Sequence, residues 1–374
     1  MENGEFRLGL FDGIFEGLKP MVLERLIGCL AGSLVGVTLL VGCGDGSSSS
    51  PAVDGGGAAA EAAPRIAYVT NGVADFWKIA EAGADAAGDE FDVEVEVLMP
   101  TGGVTDQKRM LEDLVTRGVD GIAVSPIDAA NQIDVIDAAA ARTNVITHDS
   151  DAPGSQRLAY VGMDNYDAGR MAGRLLREAL PDGGEVFVFV GRLEQDNARL
   201  RRQGLIDEVL GREPDSSRYD EPGSPVEGNG YTVLGTLTDQ FDRAKAKANV
   251  EDVLSRHPDV DCMVGLFAYN PPLILEALEG AGRLGEVVVV GFDEDDETLQ
   301  GIKDGNVVGT VVQNPYEYGR MSVEILAKLA RDADPGLAEG GMVAIPARTI
   351  RAEDVEAFWN DLRVKTGKTP AAAE

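Results

Sequence analysis

The hydrophobic pattern from residue 65 onward alternates between short apolar runs and longer segments of helical spacing. Residues 66–70 form a continuous apolar run of strand length, and residues 93–98 alternate with period two, as a half-exposed strand does. Further strands are predicted at 121–125, 144–148, 186–190, 231–237, 262–267, 287–290 and 307–312. Helices are predicted at 76–89, 105–117, 129–141, 164–180, 197–210, 239–256, 272–281 and 315–330. Repeated strand–helix units predict α/β architecture, with parallel sheets covered by helices on both faces.

Two segments of this pattern have clear local explanations. Asp164 is a favourable helix N-cap, and the apolar and small residues that follow it up to Leu180 trace one helix face. Residues 211–230 are rich in glycine, proline, serine and acidic residues, and we expect a surface loop there.

The beginning of the chain has a different character. Residues 26–41 are almost all apolar or small, which is shorter than the roughly 20 residues of a membrane span but suits the core of a secretory signal. The run ends at Gly42-Cys43, and residues 44–63 are a Gly/Ser/Ala-rich stretch that predicts a flexible tether. A buried helix with a chance cysteine is the alternative, but no amphipathic pattern is visible. Residues 1–43 resemble a bacterial lipoprotein signal, with Met21 as a possible start, and the resemblance implies a lipid anchor at Cys43 in the periplasm or cell envelope.

Charge and cysteine usage exclude several classes of protein. The chain has 64 acidic and 33 basic residues and a formal net charge of −31, so it repels nucleic acid phosphates. Of the three cysteines, Cys29 and Cys43 lie in the leader, and Cys262 begins an apolar run and is predicted to be a buried thiol. No disulfide framework and no metal-binding cluster is indicated, and we expect no cofactor.

Candidate chemistry is concentrated where the predicted strands end. Ligands of open parallel sheets bind beyond the carboxyl ends of the strands. The groups found there are Asn71, Asp75, Asp149, Arg199, Asn270, Asp293 and Gln313, accompanied by the aromatic residues Phe76, Trp77 and Phe241. Planar polar groups engage neighbouring hydroxyls in pairs, and aromatic rings stack on the C–H faces of sugars. This set therefore predicts a site for a small sugar.

Several short motifs occur in an order typical of a known family. They are Asn-Ala-Arg-Leu-Arg-Arg-Gln-Gly at 197–204, Phe-Asp-Arg at 241–243, Val-Gly-Phe-Asp ending at Asp293 and Val-Val-Gln ending at Gln313. Over residues 65–360 the chain resembles the ribose-binding group of periplasmic substrate-binding proteins, the type I receptors of sugar ABC transporters. The resemblance implies two doubly wound α/β lobes joined by a three-strand hinge. The lobes would comprise residues 65–165 plus 314–345 and residues 166–313 plus 346–365.

The resemblance also implies roles for the site residues. Asp149 would accept hydrogen bonds from sugar hydroxyls, and Arg199 would reach the ring from the second lobe. Phe76, Trp77 and Phe241 would supply stacking surfaces, and Asn270, Asp293 and Gln313 would complete the polar set. Either Asn71 or Asp75 would replace the asparagine that the family carries beside its aromatic pair. Ser150 stands where ribose binders usually carry arginine, which puts ribose itself in doubt.

Each of these residues also has a structural interpretation. Phe76 and Trp77 could be helix core contacts, although one facing the cleft and one facing the core is favoured. Asp149 could be the acceptor of an Asx-turn, and Arg199 could be part of a solvated basic face beside Arg201 and Arg202. His148 has no nucleophile near it in sequence, and we interpret it as structural.

The favoured function is a monomeric, non-enzymatic receptor that captures a monosaccharide and presents it to an ABC permease. A sensory protein that binds a sugar or an autoinducer and feeds a chemoreceptor or histidine kinase is the alternative. A repressor would need an N-terminal helix-turn-helix, which the leader does not provide. A Rossmann enzyme would need G-x-G-x-x-G after the first strand, and that motif is absent from the sequence.

Overall fold

The computed structural model describes residues 62–368. The strands are β1 Arg65–Val69, β2 Glu94–Leu98, β3 Gly121–Val124, β4 Asn144–His148, β5 Tyr160–Gly162, β6 Gly184–Val190, β7 Val226–Gly228, β8 Tyr231–Thr238, β9 Cys262–Gly265, β10 Val288–Phe292, β11 Gly309–Val312, β12 Met342–Ala344 and β13 Arg348–Ile350. The helices are α1 Asp75–Phe91, α2 Gly103–Arg117, α3 Ala129–Ala140, α4 Asn165–Ala179, α5 Asp196–Val209, α6 Arg243–Arg256, α7 Asn270–Gly280, α8 Asp296–Lys303, α9 Pro315–Leu329 and α10 Val355–Lys365.

The strands form two sheets. The first sheet has the order β12-β5-β4-β3-β1-β2, and its pairs are parallel. The second has the order β13-β11-β10-β9-β6-β8-β7 and is parallel except where β13 and β7 pair at its edges. Each sheet places consecutive strands on both sides of its first strand, so each is doubly wound. The predicted α/β fold with two lobes is confirmed.

The chain passes between the two sheets three times, which gives the expected hinge. It leaves the first sheet between β5 and α4, returns between β11 and α9, and leaves again between β12 and β13. Helices α1, α2, α3 and α9 pack with the first sheet, and α4 to α8 and α10 pack with the second. We call these assemblies the first and second lobes. The exact residue boundaries given above for the lobes remain predictions.

Close helix contact fixes α5 in the second lobe. A Cβ placed on Gly204 would lie 1.9 Å from the Tyr166 carbonyl oxygen, and one on Gly169 would lie 2.0 Å from the Arg201 carbonyl oxygen. Only glycine allows this approach of α4 and α5, and the buried residues of both helices join the core of the second sheet. The position of the arginine motif on α5 is therefore fixed by backbone contact.

The structure differs from the predicted elements in places. Helix α6 begins at Arg243 and not at 239, because Gln240 and Phe241 have φ values of 62° and 64°, which a helix cannot contain. The predicted loop at 211–230 contains the short strand β7. Helices α8 and α10 and the three-residue strands β5, β12 and β13 were not predicted, since such short strands leave too little periodicity to detect.

Predictions about Cys262 and about the beginning of the chain remain to be compared with the structure. Cys262 is fully buried, as expected for a structural thiol. The signal region at 1–43, Cys43 and nearly all of the tether at 44–63 lie outside the described residues. Within residues 62–368, no helix has the length and apolar character needed to cross a bilayer.

Candidate functional site

Two buried aspartates mark the ends of two strands, one in each sheet. Asp149 follows β4 and Asp293 follows β10, and their side chains are almost completely buried. Both have left-handed backbones, with φ of 58° and 67°. Their amides are held by neighbouring strands, at 3.1 Å from the Val161 carbonyl oxygen and 2.8 Å from the Val311 carbonyl oxygen, respectively. Non-glycine residues seldom adopt this conformation, and such strain concentrates at functional sites.

Arg201 on α5 joins the two carboxylates. Its Nη2 lies 3.5 Å from Asp149 Oδ1, and its Nη1 lies 3.9 Å from Asp293 Oδ2. The guanidinium also donates to Asn165 Oδ1 at 2.9 Å and lies 4.4 Å from the centre of the Phe292 ring. Arg201 is only 1% exposed, so this cation is a fixed part of the interior.

Burial controls the protonation of both carboxyl groups. It raises the pKa of Asp149, against the opposing effects of Arg201, Ser125 and Asn197. It raises the pKa of Asp293 to about 6, against the opposing effects of Arg201 and Gln313. At neutral pH Asp293 is therefore an acceptor for hydroxyl donors, and below about pH 6 its carboxylate is lost.

Asp149 is surrounded by neutral donors. Its Oδ2 accepts from Ser125 Oγ at 3.1 Å, from Asn71 Nδ2 at 3.4 Å and from Asn197 Nδ2 at 3.1 Å. Asn71 in turn accepts from the indole N–H of Trp77 at 3.2 Å. Of the two alternatives for the first-lobe polar residue, Asn71 lies in the site, while Asp75 is exposed on the first turn of α1.

Gln313 completes the surroundings of Asp293. Its Nε2 donates to Asp293 Oδ1 at 2.7 Å, and its Oε1 accepts from the Tyr318 hydroxyl at 3.1 Å. Because Gln313 directly follows β11, where the chain returns to the first lobe, it links the site to the hinge.

In the structure Arg201, and not Arg199, lies between the two carboxylates. Arg199 is half-buried and pairs with Asp196 at 2.6 Å on its own helix. Two positions along a helix amount to a rotation of about 200°, so the two arginines point in opposite directions. The interpretation of Arg201 and Arg202 as part of a solvated face is wrong, since they are 1% and 2% exposed. The motif alone does not say which of its arginines faces the site.

Aromatic side chains lie in both lobes near these groups. Phe76 and Trp77 are both buried, with ring centres 4.8 Å apart, and Trp77 lies 5.6 Å from the His148 ring. In the second lobe Phe241 stacks on Phe267 at 5.9 Å. The contribution of Phe267 was not predicted from the sequence.

Asn270 and His148 make their hydrogen bonds to residues other than Asp149, Arg201 and Asp293. Asn270 donates to Asp239 Oδ2 at 3.1 Å, and Asp239 also accepts from the Tyr269 hydroxyl. Asp239 was missed because it was assigned to a helix. His148 contacts the Tyr68 hydroxyl at 3.0 Å, and burial lowers its pKa to about 3, so it is neutral and structural, as the sequence indicated.

Several buried polar atoms around these groups have no hydrogen-bond partner among the described residues. They include Ser150 Oγ, Arg192 Nε, Arg201 Nη2 and both amide atoms of Gln195. An unpaired buried polar group is costly, and the hydroxyls of a ligand would satisfy such atoms. Residues 62–368 contain no group of three or more His, Cys, Asp or Glu residues that could hold a metal ion.

Comparisons with known proteins agree with this geometry. A family model described as a periplasmic binding protein domain matches residues 66–334. The D-ribose/D-allose-binding protein of Pseudomonas aeruginosa is 25% identical over 304 residues, which cover 77% of this chain and 89% of that protein. A glucose-galactose binding protein from Geobacillus stearothermophilus, GanP, has a TM-score of 0.70 and 28% identity over 79% of this chain and 99% of its own. An ABC transporter solute binding protein from Burkholderia graminis, solved with D-arabinose, has a TM-score of 0.70 and 26% identity over 78% of this chain and 97% of its own.

Proposed function

The chain belongs to the periplasmic binding protein family, and from this premise we propose that it binds a neutral monosaccharide between its two lobes and delivers it to an ABC permease. Membership confirms the predictions that the protein is a solute receptor and not an enzyme, and that it belongs to an extracytoplasmic class. The choice of a neutral sugar and the delivery step are the parts that we propose.

The convergence of Asp149, Arg201 and Asp293 carries the proposal. Asp149 comes from the first lobe, Asp293 and Arg201 come from the second, and the Arg201 guanidinium lies within ion-pair distance of both carboxylates. A ligand that contacts both carboxylates must touch both lobes, so it binds the closed arrangement better than the open one. This differential affinity is the physical basis of a two-lobed receptor.

The charges favour a neutral polyol over an anion. Hydroxyl groups donate well to two carboxylates, whereas a carboxylate or phosphate ligand would be repelled by them. Phe241 and Phe267 offer apolar ring surface nearby, which suits the C–H face of a sugar ring. The names of the relatives include ribose, allose, glucose, galactose and arabinose, which supports a monosaccharide without selecting one.

The experiment is a thermal-shift screen of the secreted domain against aldopentoses, aldohexoses and polyols, followed by calorimetry on the hits. A ligand that binds only the native state raises the melting temperature. Asp293→Asn should remove the response, and Asp75→Asn should keep it because Asp75 is exposed. If no sugar shifts the melting temperature, or if Asp293→Asn binds like the native protein, the proposed function is wrong.

We also propose that Cys43 carries a lipid anchor and that the receptor is a monomer serving a permease. Metabolic labelling with a fatty-acid analogue should mark the native chain, and Cys43→Ser should abolish the label. Loss of sugar uptake in a deletion strain would support the transport role. Normal uptake with a lost chemotactic or kinase response would instead favour the sensory alternative.

A further inference from the structure

Asn197 is a buried amide that reaches from one lobe to the other. It lies in the first turn of α5, which packs with the second sheet, and it is 2% exposed. Its Nδ2 donates at 3.1 Å to Asp149 Oδ2, which belongs to the first lobe. Its Oδ1 accepts from the Ala198 amide at 2.7 Å, which fixes the side-chain amide so that the donor faces Asp149.

The other neutral donors to this oxygen have a different origin. Ser125 and Asn71 follow strands of the first sheet, as Asp149 does, so their hydrogen bonds do not depend on how the lobes are arranged. The second lobe contributes the amide of Asn197 and the guanidinium of Arg201 to the Asp149 carboxylate, and Gln313 at the end of β11 also acts on it. Lobe closure therefore adds both groups to Asp149.

The three neutral donors all meet the same oxygen. One carboxylate oxygen has about two lone-pair sites, so three donors saturate Oδ2. The other oxygen, Oδ1, lies 3.5 Å from Arg201 Nη2, an atom without a hydrogen-bond partner among the described residues. In this arrangement Oδ1 is the atom of Asp149 left to accept a ligand hydroxyl.

We propose that Asn197 is a positioning residue that couples lobe closure to ligand recognition by fixing the Asp149 carboxylate, so that Oδ1 alone faces the sugar. This inference rests on the proposed function, since it concerns the same site. The amide acts through Asp149 and not through a contact of its own with the ligand.

The decisive change is Asn197→Asp, which keeps the shape but replaces the donor by an acceptor. Two carboxylates at this distance cannot both ionise without strong repulsion, so the pair must share a proton. The variant should bind sugar poorly at pH 8 and recover as the pH falls. We expect the ratio of the variant Kd to the native Kd to be about 30-fold or more at pH 8 and to shrink to about threefold at pH 5.5.

Other titratable groups near the site do not explain a Kd ratio of variant to native protein that falls with decreasing pH. The groups facing Asp149 and Asn197 are Arg201 and Asp196 on α5, Tyr68, Tyr160, His148, Asp293 and Tyr318. Tyr68, Tyr160 and Tyr318 have raised pKa values and His148 has a pKa lowered to about 3, so these residues stay neutral over the range. The carboxyl groups and Arg201 are present in both proteins, so their titration affects both Kd values.

A matched control lies elsewhere in the first lobe. Asn131 Nδ2 donates to Asp128 Oδ2 at 2.8 Å on the exposed first turn of α3, which is the same chemical contact away from the cleft. Asn131→Asp should bind sugar as the native protein does at each pH. Asn197→Ala should raise Kd about tenfold, because a hydrogen bond to a charged group is lost, and this ratio should change little with pH.

The measurements are calorimetric Kd values for the four proteins at pH 5.5, 6.5 and 8, with circular dichroism to show that each is folded. A Kd ratio for Asn197→Asp that falls with pH, beside flat ratios for the other two variants, supports the inference. A flat ratio for Asn197→Asp, or an equal pH effect in Asn131→Asp, overturns it. If the native protein binds no sugar at all, the proposed function fails, which is a different result from native binding with a flat ratio.

Discussion

Replacing Arg201 by glutamine should destabilise the protein without ligand by about 3–5 kcal/mol at pH 7.5, because it leaves the buried carboxylate of Asp293, which lies in the same lobe, without its cation. Arg201 is 1% exposed and lies 3.5 Å and 3.9 Å from the carboxylate oxygens of Asp149 and Asp293. It also donates to Asn165 at 2.9 Å, and a shorter side chain would leave that acceptor unpaired. The lost ion pair and the lost hydrogen bond both raise the free energy of the folded state.

The size of this loss depends on pH in a defined direction. Burial already raises the pKa of Asp293 to about 6, and removal of Arg201, whose charge opposes that rise, raises it further. A raised pKa in the folded state gives stability that is present at low pH and lost as the pH rises through that pKa. The difference in unfolding free energy between native and variant protein should therefore be larger at pH 8 than at pH 5.

Arg199→Gln is the matched control on the same helix. Arg199 lies two residues before Arg201, is half-buried and pairs with Asp196. Its replacement should lower the free energy of unfolding by roughly 0–1 kcal/mol. Urea denaturation without ligand at pH 5, 6.5 and 8 measures the unfolding free energy of all three proteins. An Arg199→Gln protein that is destabilised as much as Arg201→Gln would refute the assignment of the buried cation to Arg201.

Three further outcomes are expected. Sugar affinity should weaken below about pH 6 and binding should release protons near that pH, because hydroxyl donors favour the ionised form of Asp293. Calorimetry in buffers of different ionisation enthalpy measures the Kd and the number of protons released. Equal Kd values at pH 5 and 7.5 would contradict the prediction. Gly319→Ala should lower the free energy of unfolding, measured by urea denaturation, by about 1–3 kcal/mol or more, because the added Cβ would lie 2.0 Å from the Ala80 carbonyl oxygen. Gly280 has open space around it, so Gly280→Ala should leave the free energy of unfolding unchanged. Asn71→Ala should raise the sugar Kd about tenfold and Asp75→Ala should leave it unchanged, and the reverse order in calorimetry would contradict the placement of Asn71 in the site.

The sequence determined the fold class and much of the site because both depend on local patterns. Apolar runs of strand length alternate with helical segments, and a parallel sheet puts the residue after each strand at one edge. This was enough to place Asp149 at the end of β4, and Asp293 and Gln313 at the ends of two neighbouring strands of the second sheet, where Gln313 donates to Asp293. The short strands β5, β12 and β13 were missed because three residues do not establish a period.

Only the tertiary structure decided which of several similar residues enters the site. Arg199, Arg201 and Arg202 lie in one motif, and the direction in which α5 packs on α4 places Arg201 beside the carboxylates of Asp149 and Asp293. Asn71 and Asp75 lie four residues apart, and the start of α1 leaves the second of them exposed. The contact of Asn197 with Asp149 joins residues 48 positions apart in different lobes. No periodicity along the chain carries that information, because it depends on how two separately folded sheets meet.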